Sequence, residues 1–180
     1  MDKYDTLLAR FVAGLIDGIV LVPVGLLSIV FNEGSPAWMI SGLFITHSAS
    51  MFYSIYFHWK TGSTFGKMVM GIIVVDQSET RLLTFEQSLR RDSVYIVLEF
   101  IGLFVLATHI LESGVYPNDK FGVETYLDLL ATGWLLLEIV TAFYNNKSRA
   151  VHDLIAGSVV IKKEFWNARV VENAAEDAGR

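Results

Sequence analysis

Apolar residues run for about 22 positions at a time in four places along the chain, and polar residues collect between them. Residues 10–31 read RFVAGLIDGIVLVPVGLLSIVF, 36–58 PAWMISGLFITHSASMFYSIYFH, 92–113 DSVYIVLEFIGLFVLATHILES and 123–145 VETYLDLLATGWLLLEIVTAFYN. A helix crosses the hydrocarbon core of a bilayer in about 20 residues, so each run predicts a transmembrane helix. The pattern changes between the second and third runs. Residues 71–76, GIIVVD, are short and β-branched and predict a strand. Residues 77–80 read as a polar turn. Thr84 followed three positions later by Gln87 has capping-box spacing and predicts a short helix over 85–91. After the fourth run, 157–163 (GSVVIKK) is a second β-branched stretch, with Gly157 as the stop of a short preceding helix. Two short strands on one side of a membrane satisfy each other's backbone groups by pairing. Such a ribbon is marginal alone and has to lean on the helix ends. The fold expected is therefore an all-α membrane protein, a four-transmembrane-helix bundle with a small cytoplasmic two-stranded β-ribbon, over residues 1–163. The tail 164–180 starts with Phe165 and Trp166, ends acidic, and reads as an interfacial helix.

Composition sharpens this picture. The chain is 53% hydrophobic and only 18% charged, with a mean hydropathy of +0.46, more apolar than a soluble domain with four buried helices. The absence of cysteine excludes disulfides, iron–sulfur clusters and thiolate zinc sites. A net charge of -5 points away from nucleic acid. No cleavable signal peptide is expected, because the first apolar run is too long for one. Among the 14 lysines and arginines, Lys120 is the one that falls in a link on the far side. The rest lie before or at the start of the first run, between the second and third, or after the fourth, which puts both termini and the middle loop in the cytoplasm. Trp38, Tyr56, Trp59, Tyr116 and Tyr144 stand near the run ends, at the depth amphipathic rings favour.

Ionisable residues inside the runs carry the candidate chemistry. Arg10 and Asp17 are two helical turns apart and share a face, with Asp17 about 10 Å deeper. Glu99 lies seven residues into the third run and Glu138 seven residues back from the end of the fourth. Three carboxylates thus fall at a similar depth. One reading is a cation or proton site lined by Asp17, Glu99 and Glu138, with His47 above it and His109 and Asp128 extending a polar track outward. The other is structural: each acid pairs with a nearby arginine, and His47 only hydrogen-bonds across helices. Asp153 follows His152 after the last run, where it can cap the turn or bind Arg10 at the base of the first run; the Arg10 contact, a staple between the two ends of the chain, is the one expected. Gly14 and Gly18 form a GxxxG pair that suits close helix packing, within the bundle or across a dimer. Pro23 marks a candidate hinge. No HExxH or His-x-x-His spacing and no Ser–His–Asp grouping is present, and TGSTFGK at 61–67 lacks phosphate-loop spacing. No cofactor, no metal and no enzymatic activity are expected.

The motifs in order resemble the RDD family of bacterial and archaeal membrane proteins. Its arginine and first aspartate match Arg10 and Asp17, and its second aspartate matches Asp153. A T-x-G-K turn is matched by Thr64, Gly66 and Lys67, a G-x-x-V-V-D strand by Gly71, Val74, Val75 and Asp76, and an arginine before the third span by Arg90 or Arg91. The resemblance spans residues 7–162. It implies transport of an unidentified ligand, with cation/proton exchange proposed for some members. The expectation is a small transporter or exchanger of monovalent cations and protons in the bacterial inner membrane. Four spans are few for one pathway, so it is expected to form a homo-oligomer. The alternative is a non-transporting scaffold or regulator of a partner protein.

Overall fold

The computed structural model describes residues 2–31, 34–115 and 123–178. The links at Asn32 and around Lys120, with Tyr116, lie outside the described residues. The element order is α1 (Leu7–Phe31), α2 (Pro36–Thr61), α3 (Phe65–Val69), β1 (Ile72–Asp76), α4 (Phe85–Ser113), α5 (Val123–Tyr144), α6 (Val151–Ala156), β2 (Ser158–Lys162) and α7 (Lys163–Ala178).

Local chemistry sets these ends. Ser35 caps α2 and Pro36 fills its first turn, where a missing N–H costs nothing. Thr84 and Gln87 form the reciprocal capping box that opens α4. No Gly or Pro follows until Gly102, so the short helix expected over 85–91 does not end. It continues into the third apolar run as one helix of 29 residues. Gly157, at φ 63°, stops α6 and hands the chain to β2. α1 runs on through Pro23 as one helix.

α1 and α4 are long and apolar enough to cross a membrane. They carry large apolar side chains on their outer surfaces, Phe11, Leu15, Ile19 and Leu26 on α1 and Val97, Ile101 and Phe104 on α4. Helices buried in a soluble core do not present such surfaces. The long helices pack as α1 on α2, α2 on α4 and α4 on α5, and among the described residues α1 has no extensive contact with α5. They form an open row whose two ends leave a gap, where the expectation was a bundle.

The ribbon forms as expected. β1 and β2 pair antiparallel, Ile72 opposite Lys162 through to Asp76 opposite Ser158. Both faces are buried. Ile72, Val74 and Val160 pack against Ala13 of α1, and Ile73, Val75, Val159 and Ile161 against Tyr4, Leu82 and Trp166. Trp166 belongs to α7, so the first turns of the tail cover the sheet rather than trailing from it. This cover on two sides supplies the stability a two-stranded ribbon lacks.

Candidate functional site

The site is built where the ribbon layer meets the helix ends. Asp153, on the one-and-a-half-turn α6, is fully buried. Its Oδ2 accepts Arg10 Nη1 at 2.6 Å and the Ala150 amide at 3.2 Å. Its Oδ1 accepts Arg91 Nε at 3.2 Å and the Ser158 hydroxyl at 3.0 Å. Burial alone would raise the pKa of Asp153, but Arg10 and Arg91 outweigh it and hold the carboxyl well below its usual range.

Arg91 is the hub. Besides Asp153, it donates Nη1 to His58 Nε2 at 2.8 Å and Nη2 to His152 Nε2 at 2.8 Å. A guanidinium can only donate, so both Nε2 atoms accept and both imidazoles carry their proton on Nδ1. His152 Nδ1 then donates to Glu138 at 2.5 Å. His58 Nδ1 donates to Ser54 Oγ at 3.2 Å, and Ser54 donates to Asp92 at 2.8 Å. One buried cation thus serves three carboxylates: Asp153 directly, Glu138 through His152, and Asp92 through His58 and Ser54. Lys67 Nζ also lies 2.6 Å from His58 Nε2. Burial lowers the Lys67 amine to about 7, and Arg91 adds to the effect.

The three carboxylates expected to line one site do not converge. Asp17 accepts the Tyr53 hydroxyl at 2.7 Å, the Thr64 hydroxyl at 2.6 Å and the Gly66 amide at 2.7 Å. Its oxygens are committed to Tyr53 of α2 and to the start of α3. Position along each helix predicts a common depth for the three acids, but the α3 turn climbs the side of α1 as far as Asp17. An added Cβ on Gly66 would stand 2.1 Å from the Ala13 carbonyl oxygen, so only glycine allows this approach. Glu138 is buried and accepts from Tyr95 at 2.8 Å as well as from His152. Glu99 meets His47 across the α2–α4 groove, both partly exposed. Among the described residues no group of three His, Asp or Glu is arranged to hold a metal ion. His109 and Asp128 lie exposed and add nothing to a continuous track. Arg10 does reach Asp153, as their positions predict.

A polar seam nonetheless runs between α2 and α4. His58, Ser54, Met51 and His47 fall on one face of α2, and Asp92, Tyr95 and Glu99 on the facing side of α4. A cavity of about 210 Å³ lies between them, lined by Ser50, Ser54, Asp92, Tyr95 and Glu99 among others.

A second cluster had no sequence signal beyond a polar turn. Glu79, at φ 61° in that turn, receives Lys3 Nζ at 2.7 Å, the Tyr4 hydroxyl at 2.5 Å, Lys147 Nζ at 3.3 Å and Arg169 Nη2 at 3.2 Å. It ties the N-terminal segment, the middle loop and α7 together. The linking role of His58 was equally hidden, although its spacing of four from Ser54 put both on one helical face.

No curated protein and no solved structure shows a significant match to this chain. The model of the RDD family matches residues 4–157. That span holds Arg10, Asp17 and Asp153 together with the Thr64–Gly66–Lys67 turn that encloses Asp17. The chain is a membrane protein that belongs to the RDD family.

Proposed function

We propose that this protein crosses a bacterial inner membrane four times, by α1, α2, α4 and α5, and exchanges protons or monovalent cations along the α2–α4 seam. At 1.5 Å per residue, the 26 residues of α2 and the 22 of α5 have the reach to span. Lys3, Lys147 and Arg169 meet at Glu79 of the middle loop. This supports both termini lying on one side, and the lysine and arginine bias makes that side the cytoplasm.

The observation that carries the transport reading is the cavity shared by Asp92 and Glu99, with the Ser54–His58–Arg91 chain at its cytoplasmic end and His47, paired with Glu99, towards the middle of the membrane. A space of about 210 Å³ has room for water beside Asp92 and Glu99, although most of its wall is apolar, and Asp, Glu and His groups along water are how membranes pass protons. Glu99 and Asp92 are the exchanging acids in this reading, with His47 as the relay. Asp17 and Glu138, which already hold hydrogen-bond donors, position helices and loops. The path covers part of the membrane thickness, and a homodimer would complete it.

Flux in proteoliposomes tests the proposal. Cation-dependent proton movement should be present in the wild-type protein and abolished by Glu99→Gln or Asp92→Asn, with circular dichroism unchanged. Flux equal to that of empty liposomes would discard transport. The reading left would be a scaffold or regulator, which the full structural commitment of Asp17 and Asp153 favours.

A further inference from the structure

The open end of the helix row holds a second feature. A cleft of about 220 Å³ lies between α1 and α5, beside the Arg91 hub. Phe11 and Leu135 form its walls and are themselves largely exposed. Its polar lining includes Arg10, Lys67, Arg91 and Glu138. The donors and acceptors there do not balance. Both oxygens of Glu138 are taken, by Tyr95 and His152. Both oxygens of Asp153 behind it are taken as well. Arg10 Nη2 is buried and has no hydrogen-bond partner among the described residues. As an ammonium, Lys67 has N–H groups to spare beyond the one aimed at His58. In the cleft lining itself three basic side chains, Arg10, Lys67 and Arg91, stand with one carboxylate, Glu138; Asp153 and Asp92 lie behind them and hold donors of their own.

A buried guanidinium nitrogen without an acceptor is costly. The missing partner is an anion. The walls say which kind: they are apolar and continue onto the outer faces of α1 and α5, so the ligand carries its charge inward and hydrocarbon outward. We propose that this cleft binds the phosphate headgroup of an anionic phospholipid, with acyl chains lying along Phe11 and Leu135. Basic pockets between membrane helices near the cytoplasmic face recognise such headgroups. The inference rests on α1 and α5 lying in lipid and is independent of whether the α2–α4 seam conducts.

The test uses the full chain, delipidated in a mild detergent and offered mixed micelles of phosphatidylglycerol or phosphatidylcholine. Native mass spectrometry counts retained lipid. The wild-type protein should retain phosphatidylglycerol with a preference of roughly tenfold. Arg10→Lys keeps a cation for Asp153 but removes Nη2, and should lose most of that preference. Leu135→Trp fills the cleft from its exposed wall without touching the charged network, and should lose it while the circular dichroism spectrum stays unchanged. Equal retention of the two lipids would overturn the proposal. So would an undiminished preference in Leu135→Trp. Displacement by inorganic phosphate alone would make the site one for a free anion and overturn the lipid assignment.

Discussion

Arg10 Nη1 lies 2.6 Å from Asp153 Oδ2, joining the first turn of α1 to α6 across 143 positions of the chain. Asp153 is fully buried and accepts from Arg91, Ser158 and Ala150 as well. Removing its charge leaves two buried guanidinium groups without their counter-ion. Asp153→Asn should lower stability by about 3–5 kcal/mol, read as a loss of the thermal transition in detergent. A charge swap of Arg10 and Asp153 should not restore it, because the new arginine would sit against Arg91. Recovery in the double variant would show that the two residues act as an isolated pair.

The approach of the α3 turn to α1 leaves no room at Gly66. Its added Cβ would meet the Ala13 carbonyl oxygen at 2.1 Å and the Asp17 carboxyl carbon at 3.0 Å. Gly66→Ala should therefore cost roughly 1–3 kcal/mol and lift the turn away from Asp17. Gly14 and Gly18 meet nothing within 4 Å in the described structure, so the GxxxG pair does not pack within this chain. Gly14→Ala should leave monomer stability within about 1 kcal/mol, on the favourable side. Equal destabilisation by the two substitutions, measured by denaturation in detergent, would contradict the close contact at Gly66.

Acid should unfasten the Glu79 junction. Burial opposes ionisation of Glu79, but Lys3, Tyr4 and Lys147 prevail and hold it down to about 2, from 4.5. The folded protein thus binds the proton less readily than the unfolded chain. The stabilisation is fully present above pH 4.5 and is lost as the pH falls towards 2. Its size is up to roughly 3 kcal/mol at low salt and less at high salt, because the lysines are partly exposed to water. Glu79→Gln should be less stable than wild type at neutral pH, and the gap should close on acidification. A gap that stays constant from neutral pH down to pH 2 would show that Glu79 is not ionised in the fold.

Lys67 should be the amine that reacts first with acetic anhydride. With its amine lowered to about 7, it is half-neutral near physiological pH while ordinary lysines are protonated. Labelling followed by peptide mass spectrometry should give a midpoint near 7 for Lys67. The Arg91→Gln variant should shift that midpoint upward, since Arg91 is one of the charges that lower it. A midpoint in the ordinary lysine range in the wild-type protein would show that the amine is open to water.

Much of the architecture was legible in the chain. The four apolar runs, the capping box at Thr84 and Gln87, the stop at Gly157 and the two β-branched strands are local signals, each written in a few adjacent residues. The Arg10–Asp153 contact was expected too, and the structure has Asp153 both binding Arg10 and capping α6 through the Ala150 amide. The fate of the acids was not legible. Depth along a helix places Asp17, Glu99 and Glu138 at similar heights, but height says nothing of azimuth or of what packs alongside. Asp17 is claimed by a turn 47 positions later, Glu138 by a histidine of α6, and Glu99 by His47. Arg91 collects partners from α2 and α6, and Glu79 from the N-terminal segment, the link before α6 and α7, and no short window of sequence contains such a group. The sequence alone determined the elements, because hydrophobic period and capping act over a few residues. The tertiary structure alone decided which charges meet, because a hydrogen bond between distant side chains depends on how whole helices are turned against one another.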